Sequence, residues 1–147
     1  MNTIDERVQI AAAAIEKLED MHDRFMKLVQ SLSTNKPHAG SLGVSDNNLT
    51  ATCLGVSLTV KRKIVVRNSY PAFIEYAFIV TKNGIDIFIF AIYLGKDGSL
   101  LTDLHSETRL CDFDNAYLPN NLLNAVAIRL LDSEVFKPTT NSPHRLD

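Results

Sequence analysis

Asp103, His105 and Glu107 are the residues of this chain whose types and spacing could do chemistry. In a β-strand, intervals of two place all three side chains on one face. An imidazole between two carboxylates could hold a divalent cation or run general acid–base catalysis. Cys111, Asp112 and Asp114 follow closely enough to add ligands. An edge strand uses the same pattern for another purpose, pointing charge inward to block pairing with other chains. No known metal motif has this spacing, so the edge-strand reading is preferred and the three residues stand as metal candidates only.

Other constellations carry less. Lys61, Arg62, Lys63 and Arg67, followed by Tyr70, could form a basic strand with a stacking aromatic for single-stranded nucleic acid. Solvated strand ends explain them as well. His22 falls among apolar residues at helical spacing, where it is either a buried, hydrogen-bonded histidine or a pH-sensitive contact in a helical interface. Gly40-x-x-Gly43 lacks the Gly-Lys-Ser/Thr that completes a phosphate loop. There is no Gly-x-Ser-x-Gly elbow, and neither Cys53 nor Cys111 has an activating neighbour. No catalytic residue and no cofactor is assigned.

Bulk properties narrow the classes further. The net charge of −2 gives no global field to attract nucleic acid or an anionic membrane, so neither is expected as a partner. The apolar run Ile87 to Leu94 is far too short for a membrane-spanning helix. Asp5 and Glu6 stand where a secretory signal carries positive charge. Together with two cysteines in no framework, this leads us to expect reduced thiols and a cytoplasmic location. The sequon Asn48-Leu49-Thr50 has no meaning without secretion. A length of 147 residues with 46% hydrophobic content suits one domain with a sizeable core.

The elements that must position these residues begin with a long helix. Thr3 and Glu6 have capping-box spacing. Ile4, Val8, Ala11, Ile15, Leu18, His22, Phe25, Val29 and Leu32 then recur at alternating intervals of four and three. That is a heptad seam on a helix of about 29 residues, roughly 43 Å long. Ala14, Met21 and Leu28 widen it on one flank, as packing on a sheet requires. Ser33 to Asn48, with Pro37, Gly40 and Gly43, reads as a mobile loop.

Strands are expected from Cys53 to Val60, through Ile64 to Arg67 after a turn or a charged continuation at Lys61-Arg62-Lys63, from Phe73 to Thr81, from Ile85 to Leu94, and from Leu100 to Glu107. Asn83-Gly84 between two β-rich runs is a type I′ hairpin signal, and Asp97-Gly98 is a second turn. A two-residue loop at Asn83-Gly84 pairs Val80 with Ile87, Phe78 with Ile89, Tyr76 with Ala91 and Ile74 with Tyr93. The opposite face pairs Ile79 with Phe88, Ala77 with Phe90, Glu75 with Ile92 and Phe73 with Leu94. Both faces are apolar, so each needs a cover. After an irregular stretch, Asn120 or Asn121 should cap a last helix running to about Ser133.

The expectation is an α+β fold: a long N-terminal helix, an antiparallel β-meander of four to five strands and a short C-terminal helix. Residues 1–136 form one domain, and 137–147 a disordered tail. For function, the absence of catalytic motifs and the surplus of apolar surface favour a non-catalytic protein-interaction module: an adaptor, chaperone-like protein or inhibitor. Phe25, Val29, Phe88, Phe90 and Ile92 are the candidate interaction residues, and another protein chain, in a homodimer, is the expected partner. The alternative is a small ligand-binding or metal-dependent enzyme domain using the Asp103, His105 and Glu107 face.

Overall fold

The computed structural model describes residues 3–32 and 37–139. Among them the chain forms helix α1 (Ile4–Ser31), strands β1 (Gly40–Ser45), β2 (Asn48–Cys53), β3 (Val56–Arg67), β4 (Tyr70–Lys82), β5 (Ile85–Gly95), β6 (Ser99–Asp103) and β7 (Thr108–Asp112), helix α2 (Leu118–Leu131) and a single 3₁₀ turn at Glu134–Phe136. The strands make one antiparallel meander in which each pairs with its neighbours in sequence. The α+β class and the order helix, meander, helix are as expected. The sheet, however, has seven strands instead of four to five.

The extra strands come from hairpin loops shorter than their sequence suggests. Four successive hairpins turn on two residues, both with positive φ: Asp46-Asn47, Leu54-Gly55, Asn68-Ser69 and Asn83-Gly84. Two left-handed residues make the type I′ turn, whose twist matches that of the flanking strands. Hence most of the expected loop at 38–48 is strand and tight turn, and Cys53 to Val60 is two strands broken at Leu54-Gly55. Residues 33–36 of that loop, and 140–147 of the expected tail, lie outside the described residues. Lys61-Arg62-Lys63 continues β3 as charged strand. The stretch after Glu107 holds β7, and α2 begins at Leu118 with no side-chain cap, ahead of the expected Asn120 or Asn121.

Helix α1 starts as its sequence predicts, with the Thr3 hydroxyl accepting from the Glu6 amide at 3.1 Å. Its seam is used unevenly. Leu18, His22, Phe25, Met26 and Val29 are buried, whereas Ile4 and Val8 are 82% and 61% exposed. The first three turns therefore overhang the sheet edge.

One core joins everything. Leu18, Phe25 and Val29 of α1 pack in the same cluster as Leu122, Leu123, Val126 and Leu130 of α2, with Ile74, Tyr76, Phe78 and Val80 of β4 beneath. Residues from β1 to β6 contribute to that cluster, so the sheet curls around both helices. Both cover its inner face, and neither is left for the outer one.

The register of β4 on β5 holds near the turn and then slips. Val80 faces Ile87 and Ile79 faces Phe88, as the loop length dictates. Beyond that a β-bulge leaves Ile89 without a partner, so Phe78 faces Phe90, Tyr76 faces Ile92 and Ile74 faces Leu94. One inserted residue moves every later side chain to the other face. Phe90, Ile92 and Leu94 thereby join the core, while Phe88, ahead of the bulge, stays outside.

Candidate functional site

Asp103, His105 and Glu107 do not share a strand face. Asp103 ends β6, His105 lies in the turn and Glu107 precedes β7. Four residues, Leu104 to Glu107, bridge β6 and β7, and the chain uses Asp103 to build that bridge. Its Oδ1 accepts from the backbone amides of His105 (2.8 Å) and Ser106 (3.4 Å). Those amides hold its carboxyl below the usual carboxylate value. Glu107 takes a positive φ of 52° and turns to Arg67, 2.7 Å away. Cys111 and Asp112 belong to β7, where Asp112 accepts from Arg109 at 3.0 Å. Among the described residues no three His, Cys, Asp or Glu side chains are grouped to hold a metal. His105→Gln is thus expected to change unfolding free energy by less than about 0.5 kcal/mol. Metal analysis of the purified protein is expected to find no ion whose stoichiometry tracks that substitution.

The basic strand is engaged by acidic partners. Lys61 meets Asp86 at 3.0 Å, Arg62 meets Glu19 at 3.2 Å and Arg67 meets Glu107, with its guanidinium over the Phe73 ring. Lys63 lies 3.9 Å from Glu75. Tyr70 faces the α1 overhang rather than the basic residues. Nothing in this arrangement forms a free cationic stripe interleaved with rings, as a single-strand binding surface needs.

His22 is the most constrained polar side chain of the core. It is fully buried, with Nδ1 2.6 Å from the Tyr76 hydroxyl and Nε2 2.7 Å from the Asn47 carbonyl. A carbonyl oxygen can only accept, so Nε2 carries the proton and Nδ1 accepts from the Tyr76 O–H. The imidazole stacks on the Tyr76 ring, and Phe25 meets that ring edge-on. Burial lowers the His22 pKa from its ordinary value of 6.5, and burial pushes the Tyr76 phenol up. The node ties α1 to β4 and to the β1–β2 turn. A hollow of about 360 Å³ adjoins its Asn47 end, lined by Asp23, Met26 and Lys27 of α1 and by the β1–β2 turn.

Of the five expected interaction residues, Phe25, Val29 and Ile92 are fully buried and Phe90 is 6% exposed, beneath Arg129. Phe88 is 60% exposed. The bulge at Ile89 separates the two phenylalanines, and no feature of the sequence marks it. Sequence reasoning also missed which half of the α1 seam is free. Ile4, Val8 and Ala11 wall a hollow of about 240 Å³ with Arg7, Ser69 and Tyr70. A larger groove of about 460 Å³ along α1 sets Lys17, Arg24, Lys27 and Lys96 against Asp20 and Asp23, so its lining is cationic by two charges. Among the described residues no helix is long and apolar enough to cross a membrane. No known family, no curated protein and no solved structure matches the chain.

Proposed function

We propose that this chain is a non-catalytic protein-interaction module, an adaptor, chaperone-like protein or inhibitor that works through apolar surface. The observation that carries this reading is the exposed half of an otherwise buried heptad seam. Ile4, Val8 and Ile15 continue the stripe of Leu18, Phe25 and Val29 in register, past the point where the sheet stops covering it. Large apolar side chains grouped in this way usually mark an interface. Phe88 adds a second apolar prominence on the sheet. The engagement of Asp103 in a turn, of Glu107 and the basic strand in ion pairs and of His22 in the core supports the same reading.

Val8→Glu and Phe88→Glu test it. Both sites are exposed, so both variants are expected to fold. A protein captured stoichiometrically by the wild-type chain should be lost with at least one of them. Capture that neither variant disturbs, together with tight divalent-ion binding that His105→Gln abolishes, would favour the metal-dependent alternative.

A further inference from the structure

Most cations of the chain are engaged within it. Lys61, Arg62, Lys63 and Arg67 of β3, with Arg109 and Lys137, meet acids. Lys82 donates to the Glu134 carbonyl, and Arg129 lies over the Phe90 ring. Among the described residues, Lys17, Arg24, Lys27 and Lys96 enter no ion pair and no side-chain hydrogen bond, and all four are exposed. All four line one groove, the hollow of about 460 Å³ along α1. Arg7, on the overhang, is the other cation left without a partner.

The fold sets these charges on two walls. Lys17, Arg24 and Lys27 recur at intervals of seven and three, which keeps them along one side of α1. Lys96 stands opposite, in the turn between β5 and β6. Met21 joins the walls: its Sδ lies 3.9 Å from where a Cβ on Gly98 would stand. Asp97, next to Lys96, does not neutralise it, because its carboxylate accepts from Ser99 and faces Arg109 at 3.8 Å. Asp23 accepts from the Asn47 side-chain amide at 3.4 Å, toward the β1–β2 turn. The groove thus sets four unpaired cations against the free carboxylate of Asp20, in a chain whose net charge is −2. Like charges gathered in this way repel one another, and a bound anion relieves the repulsion.

We propose that this groove binds an acidic segment of a partner protein, its carboxylates lodged between Lys96 and the cations of α1. The proposal rests on the reading of the chain as an interaction module and adds the chemistry of one partner. From Lys17 to Lys27 the groove runs about 15 Å, room for about four to five residues of extended chain. Arg24 can hold a carboxylate through two parallel N–H donors, and the lysines act as point charges. The lining selects among anions. Nucleic acid carries a charge at every phosphate and stacks its bases on aromatic rings. No aromatic ring lines the groove, and Asp20 and Asp23 would face the phosphates. A peptide can set uncharged residues or amide donors against those two and carboxylates against the cations. Exposed contacts of this kind are weak singly and act as a set, so association is reversible and salt-sensitive.

Amide spectra of the full chain, titrated with a hexaglutamate peptide at about 20 mM and then about 200 mM salt, test this. The expected result is saturable shifts at Lys17, Arg24, Lys27 and Lys96 that weaken at the higher salt. Arg24→Glu combined with Lys96→Glu should lower affinity by at least about tenfold. Lys63→Glu combined with Lys137→Glu changes net charge equally and should leave affinity within about twofold. All four substituted sites are exposed, so both variants are expected to fold. Absence of saturable shifts, shifts centred elsewhere, or an equal loss of affinity in the two double variants overturns the proposal. Tighter binding of a thymidine hexanucleotide at the same residues overturns it in favour of nucleic acid. None of these outcomes touches the apolar surface at Val8 and Phe88, which the capture experiment tests separately.

Discussion

Gly40→Ala is expected to destabilise the fold by about 3 kcal/mol or more, far beyond the usual cost of one methyl group. A Cβ at Gly40 would lie 1.9 Å from the Thr52 carbonyl oxygen and 2.9 Å from Cys53 Cα. Ordinary contact is about 3.5 Å. The obstructing atoms are backbone and cannot rotate away. They belong to β2, to which β1 is paired with Gly40 facing Cys53. The start of β1 must therefore peel off, and the strand carries Leu42, which is 4% exposed, into the core. Gly43 is the control on the same strand. A Cβ there meets only the Thr50 hydroxyl, at 3.2 Å, a side-chain atom that can turn aside. Gly43→Ala should cost less than about 1 kcal/mol. Urea unfolding of the two variants decides: equal midpoints would show that β1 is not held as described.

The same two glycines show what could and could not be read from the sequence. Gly40-x-x-Gly43 was recognisable as something other than a phosphate loop, yet their positions in a strand were hidden by the surrounding Ser, Asp and Asn. Those residues favour turns, and they do make one, Asp46-Asn47, of only two residues. Asn83-Gly84 was legible because glycine reaches positive φ at no steric cost. Asp46-Asn47, Leu54-Gly55 and Asn68-Ser69 form the same kind of turn with side chains at positive φ. Asp and Asn visit that region more readily than other residues, so Asp46-Asn47 was detectable in principle. Leu54 was not, because its apolar side chain fitted the alternation of an unbroken strand.

Helix α1 was legible in extent and cap because local spacing governs both. Where its seam passes from core to surface was not, because that depends on where a sheet formed far along the chain ends. The bulge at Ile89 has the same character. Phe88, Ile89 and Phe90 are interchangeable by propensity, and tertiary packing alone chooses which of them is extra. Whether Asp103, His105 and Glu107 share a face turned on a similar point. Their period-two spacing was read correctly but the strand it presupposed stops at Asp103, where the carboxylate captures the His105 and Ser106 amides.

His22 reads from the sequence as either a buried, hydrogen-bonded residue or a pH-sensitive contact in a helical interface, and its geometry is that of the first. In the folded chain it is neutral, donating from Nε2 to Asn47 and accepting at Nδ1 from Tyr76. Protonating Nδ1 would set two donors against each other unless the Tyr76 hydroxyl reversed, and that hydrogen would then lack a buried acceptor. Burial disfavours protonation most and Arg62 adds to it; the Asn47 carbonyl and the charges of Glu19 and Asp23 favour it but are outweighed, and the folded pKa is lowered. The consequence for stability has a definite sign. Above pH 6.5 the residue is neutral folded and unfolded, and pH has no effect through it. Below 6.5 the unfolded chain takes up a proton that the folded one refuses, so stability falls with falling pH, by up to about 1.4 kcal/mol per pH unit, until the lowered folded pKa is reached. The depressed carboxyls of Asp86, Asp97 and Asp103 act in a separate window below their ordinary value of 3.8. Tyr76→Phe leaves Nδ1 without its donor and is expected to cost about 1–3 kcal/mol at pH 7.5. His22→Leu should cost at least as much there, because the Tyr76 hydroxyl and the Asn47 carbonyl are both orphaned, and it should flatten the pH dependence. Unfolding free energies of wild type and His22→Leu at several points between about pH 7.5 and 4.5 separate the cases. A slope that persists unchanged in His22→Leu would assign the acid sensitivity to other groups and leave His22 a structural residue alone.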